Sequence, residues 1–139
     1  MTADRALLWL MRLNATVLLC ALLCVLLPFA TMDTVHRELL GEPLPDLPIT
    51  RYMARSLALL YASYGLITLF VTLNWQSYRP AVPFIAWLHI GFGAGMFLID
   101  LDAGMPRWWA VAEGPPLVGM GFLMLWLCRR ASRGEPRDS

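Results

Sequence analysis

The chain has 139 residues, 58% hydrophobic and 15% charged, with a formal net charge of +1 and a mean hydropathy of +0.58. Soluble domains carry about a quarter charged residues, so this composition excludes an ordinary soluble fold. The near-zero net charge excludes a strong field for nucleic acid or acidic substrates.

Charge is absent from 13–32, 56–78 and 80–99, and 108–128 carries only Glu113. Each run approaches the roughly 20 residues that cross a hydrocarbon core. The expectation is therefore an all-α polytopic membrane protein, a four-transmembrane-helix bundle forming one domain over 1–128. Its spans are read at about 13–32, 56–75, 81–99 and 106–128, followed by a short unstructured charged tail, 129–139.

The first span follows Asp4, Arg5 and Arg12. Its apolar core exceeds a usual signal-peptide core, and Pro28 spoils the only small-residue cleavage site, so it reads as an uncleaved anchor. Between the first two spans, Thr34 to Leu40 reads as a short interfacial helix with Val35, Leu39 and Leu40 toward lipid. Pro43, Pro45 and Pro48 then impose an extended path.

On the second span Tyr61, Tyr64, Gly65, Thr68 and Thr72 share one face by three- and four-residue steps. That face is either a packing seam or the wall of a polar pocket. On the third, His89, Gly93, Met96 and Asp100 form another stripe. Gly91 and Gly95 make a separate GxxxG, expected to mark a close helix approach. His89 reads as a neutral imidazole bonded to a carbonyl or hydroxyl; a bis-His haem site lacks its second intramembrane histidine.

The fourth span must start near Pro106 to be long enough, which places Glu113-Gly114-Pro115-Pro116 inside the bilayer and predicts a kinked or broken helix. Glu113 then lies about 10 Å below the outer helix end, either protonated or paired with a cation. Arg55 is the expected partner, with Asp100 at the rim. Two readings stand for this group: an ion pair that sets helix register, or a ligand site formed by Arg55, Tyr61, Tyr64, His89, Asp100 and Glu113. Trp108 and Trp109 are expected in the outer aromatic belt, Trp75 and Trp126 in the inner one.

Two histidines and three cysteines, scattered as His36, His89, Cys20, Cys24 and Cys128, do not form a zinc site. No phosphate loop, nucleophile elbow or zincin helix occurs, and no catalytic residue is assigned. With four spans, one side carries seven arginines (Arg5, Arg12, Arg79, Arg129, Arg130, Arg133, Arg137) and the other four (Arg37, Arg51, Arg55, Arg107). The positive-inside rule makes both termini cytoplasmic. All eleven basic residues are arginine, which reads as codon bias in a GC-rich, bacterial genome and places the protein in the inner (plasma) membrane.

Several strings resemble a group of small, uncharacterised bacterial four-span membrane proteins: Ala54-Arg55-Ser56, Leu60-Tyr61-Ala62, Tyr78-Arg79-Pro80, Asp100 with Ala103-Gly104-Met105-Pro106, Trp108-Trp109 and Glu113-Gly114-Pro115. The likeness covers about residues 50–130. More loosely, the layout is similar to DoxX-like proteins, some of which are tied to quinone or thiol redox chemistry.

The leading functional expectation is a non-enzymatic membrane protein without a cofactor. Its partners would be the lipid bilayer and other membrane subunits or further copies of itself, not nucleic acid. The alternative is a lipid, quinone or small-solute site, with DoxX-like redox chemistry as a variant, in the outer half around Arg55 and Glu113. Proton-coupled transport through Glu113 and His89 is a third reading.

Overall fold

A computed structural model describes residues 2–133. Helices run in the order α1 (Ala3–Leu19), α2 (Ala21–Leu26), α3 (Phe29–Leu40), α4 (Pro48–Leu73), α5 (Trp75–Tyr78), a 3-10 turn (Arg79–Ala81), α6 (Val82–Asp102) and α7 (Arg107–Arg133). No strand occurs among the described residues. Four helical runs are long and apolar enough to cross a membrane: Ala3–Leu26, Pro48–Leu73, Trp75–Asp102 and Arg107–Arg133.

The helical runs differ in extent from the expected spans. The first runs from Ala3 to Leu26, against an expected span of 13–32. Asp4 and Arg5 do not delay the helix, since an acidic residue suits a first turn. Its end is set by Pro28, which forces Leu27 into extended backbone at ψ 137°. The second run starts at Pro48, eight residues early, because proline is well placed at a first helical position. The last continues to Arg133, so 129–133 is helix and not tail. The rest of the expected tail lies outside the described residues.

The chain falls into two compact units, Met11–Leu73 and Met1–Leu10 with Asn74–Ser139. In the first, α3 covers the expected interfacial helix and extends it back to Phe29, with Val35 and Leu39 exposed. It stops at Gly41, whose φ of 79° is the left-handed conformation that glycine adopts freely, and whose N–H donates to Arg37 O. Asp33 ties down the next segment: it accepts the Leu44 N–H at 2.8 Å and pairs with Arg37 one turn on at 2.9 Å. The His36 ring meets Glu42 O through Nδ1 at 2.8 Å. Arg51 pairs with Asp46 and lies 4.8 Å over the Phe29 ring. Gly65 is a close-packing point, because a Cβ there would lie 3.0 Å from both Leu18 Cβ and Leu19 N.

In the second unit α6 and α7 pack antiparallel, joined by a turn in which Gly104 (φ 71°) is left-handed and Met105 N–H returns to Asp100 O at 2.9 Å. The approach runs through Gly93, Gly114 and Gly121. A Cβ on Gly93 would sit 2.7 Å from Gly114 O, and one on Gly121 2.6 Å from Ala86 O. Gly91 and Gly95 have nothing within 4 Å, so the α6–α7 approach does not run through that pair. Each is two residues from Gly93, a rotation of about 200°, and so points away from α7.

α7 is one helix through Pro115 and Pro116, so of the expected kink or break no break occurs. Both prolines lack an N–H, and the Val111 and Ala112 carbonyls lose their helical donors. At the other end of this unit Trp75 Nε1 donates to Asp4 Oδ2 at 3.0 Å, and Arg79 Nε pairs with Asp4 Oδ1 at 2.8 Å. Trp75 is only 8% exposed, which corrects its reading as a belt residue: its N–H is committed to a carboxylate inside the fold.

Candidate functional site

Helical period places His89, Gly93 and Asp100 on one face of α6, and all three are buried. His89 Nδ1 meets Ile85 O at 2.9 Å. A carbonyl only accepts, so this nitrogen carries the proton. Asp100 is 5% exposed, and its Oδ2 has no hydrogen-bond partner. A buried carboxylate oxygen in that condition is costly, and most are paired.

Glu113 is half-buried on α7, and its Oε2 accepts from Trp109 Nε1 at 2.7 Å. Trp109, expected only as a bilayer anchor, therefore also holds the candidate carboxylate. The signal was present as a four-residue spacing on one helix. Trp108 stays exposed and meets Trp109 edge-on, with ring centroids 5.5 Å apart. Next to them, Gly93, Ala94, Phe97, Leu98, Pro115 and Val118 line an apolar groove of about 350 Å³.

The remaining expected residues lie in the other unit. Arg55 is exposed near the start of α4, and Tyr61 and Tyr64 are half-buried further along it. Gly65, Thr68 and Thr72 are buried on the same stripe. Thr68 Oγ1 donates to Tyr64 O at 2.9 Å and Thr72 Oγ1 to Leu69 O at 2.8 Å, which satisfies both hydroxyls within the helix. The chain thus presents Arg55, Tyr61 and Tyr64 in one unit and His89, Asp100 and Glu113 in the other. Among the described residues no three His, Cys, Asp or Glu side chains are grouped to hold a metal.

Fold and site together define an all-α protein with four membrane-crossing helices. Comparison with family models, with curated proteins and with solved structures found no match.

Proposed function

We propose that the protein is a small, non-enzymatic component of a bacterial plasma membrane that works by lateral association, with other membrane subunits or with further copies of itself. The observation that carries this reading is the open face of α6. Gly91 and Gly95 are one turn apart, with nothing within 4 Å of either. Exposed Phe84, Leu88 and Leu98 surround them. Small residues on an otherwise bulky lipid-facing surface permit the backbone approach that drives helix association in lipid, where apolar area alone provides no preference. Both termini are cytoplasmic in this reading, by the arginine bias.

Native mass spectrometry after gentle detergent extraction tests it. Wild type should appear in an assembly, and Gly91→Leu/Gly95→Leu should release it as a folded single chain. An unchanged mass distribution in the variant overturns the reading.

A second reading rests on a different observation, the unpartnered Oδ2 of buried Asp100 in the same unit as Glu113. A lipid, quinone or small solute bearing a donor would satisfy it, with His89 and Glu113 of the same unit as the other candidate contacts. Glu113→Gln keeps the shape and removes the charge. Loss of a co-purifying small mass at unchanged stability supports this reading, and equal retention by wild type and Glu113→Gln overturns it.

A further inference from the structure

The end of the second unit opposite the Gly104 turn holds a cavity of about 280 Å³ lined by Gln76, Arg79, Pro80, Pro83, Cys128 and Ser132. It belongs neither to the α6 glycine face nor to the carboxylate group. Arg79 and Pro80 immediately precede α6, and Cys128 and Ser132 lie in the last turns of α7. Because both spans end there, the cavity stands at headgroup depth whichever way the protein is oriented.

Arg79 does not extend freely into water as an interfacial arginine usually does. Its side chain is 26% exposed, and Asp4 Oδ1 holds its Nε at 2.8 Å. The second Asp4 oxygen is taken by Trp75 Nε1, so the carboxylate that orients the guanidinium is itself fixed. A guanidinium carries five N–H donors in a planar fork that matches a phosphate. Arg5, Arg129, Arg130 and Arg133 lie at the same end with Asp4 as the one acidic residue among the described residues there. Arg130 is braced against the Trp126 ring at 4.1 Å. Pro80, Pro83 and Cys128 supply an apolar wall for the glycerol side of a headgroup.

We infer that this cavity binds the phosphodiester headgroup of an anionic phospholipid, with Arg79 as the principal contact. A zwitterionic headgroup would bring its own cation against the same arginines and lose the electrostatic gain of juxtamembrane basic groups.

Cys128 lines the cavity and reports on its occupancy. In a Cys20→Ala/Cys24→Ala background in detergent, maleimide labelling of Cys128 is followed while phosphatidylglycerol, phosphatidylcholine or inorganic phosphate is added. Phosphatidylglycerol at ten times its Kd should slow labelling about tenfold by occupying the cavity, and phosphatidylcholine should not. Arg79→Lys keeps the charge and loses the fork, and it should lose most of the protection. Equal protection by the two lipids overturns the inference, as does protection by inorganic phosphate alone, which would assign the cavity to a soluble anion. The lipid comparison uses only the parent chain, so a folding defect in Arg79→Lys leaves the inference decidable.

Discussion

Gly93 and Gly114 face each other across α6 and α7 so closely that a Cβ on either would lie 2.7 or 2.6 Å from the other's carbonyl oxygen. The obstructing atoms are backbone and cannot rotate aside. Gly93→Ala and Gly114→Ala should each separate the helices and cost about 1–3 kcal/mol, the range for overpacking. Gly121→Ala meets Ala86 O at 2.6 Å and should behave alike, whereas Gly91→Ala meets nothing within 4 Å. Thermal unfolding in detergent of these four variants checks the pattern. A Gly91→Ala loss equal to that of Gly93→Ala would contradict the assigned helix face.

Asp4 joins the start of α1 to Trp75 and Arg79 through two contacts. Asp4→Asn keeps an acceptor for the indole N–H and loses the charge opposite Arg79. Asp4→Ala loses both and should cost about 1–3 kcal/mol, since it leaves an indole donor and a guanidinium without their shared partner. Melting midpoints should fall in the order wild type, Asn, Ala. Equal midpoints for wild type and Ala would show that this end frays from the fold.

The number of spans and their all-helical character were legible because they follow from charge-free stretches of about 20 residues, a signal that bilayer thickness imposes. The ends were less so. Pro28 and Pro48 mark where the first helical run stops and the second starts, and Asp4 with Arg5 sits inside a helix. Of the candidate site, the shared face of His89, Gly93 and Asp100 followed from helical period, whereas the burial of Asp100, expected at the rim, did not. That Gly93, and not Gly91 or Gly95, meets α7 was not legible, because a GxxxG identifies small residues but not which face of α6 meets α7. Trp109 to Glu113 was readable as a four-residue step. The Asp4–Trp75 contact was not, because 71 residues separate the partners and no local pattern encodes it.

Asp33 is the group whose titration should be visible outside the spans. The Leu44 N–H hydrogen bond, helped by Arg37, holds its carboxyl below the ordinary aspartate value, which is about 4. A carboxyl depressed in the folded state contributes its stability in full above the unfolded value and loses it as pH falls through the folded one. The segment after α3 should therefore stay ordered at neutral pH and loosen only below about pH 4. Asp33→Asn should loosen it at every pH. Limited proteolysis between α3 and α4 across a pH series checks this; a cleavage rate in wild type that rises already between pH 7 and 5 would be incompatible with the depressed carboxyl.

Pro116, unlike Pro115, is not among the residues lining the apolar groove, and it removes the N–H that would pair with Ala112 O, one residue from Glu113. α7 is already continuous there, so Pro116→Ala needs no rearrangement to restore that bond. The variant should gain about 1 kcal/mol, the net value of one backbone hydrogen bond, rather than the ~3 kcal/mol that a proline costs inside a soluble helix. Amide exchange over 113–120 should slow accordingly. Pro115→Ala restores the Val111 bond but also trims a residue lining the apolar groove, so its gain should be smaller. Faster exchange in Pro116→Ala would mean that the freed Ala112 carbonyl already serves another donor, and that the double proline maintains a polar opening beside Glu113 instead of merely weakening the helix.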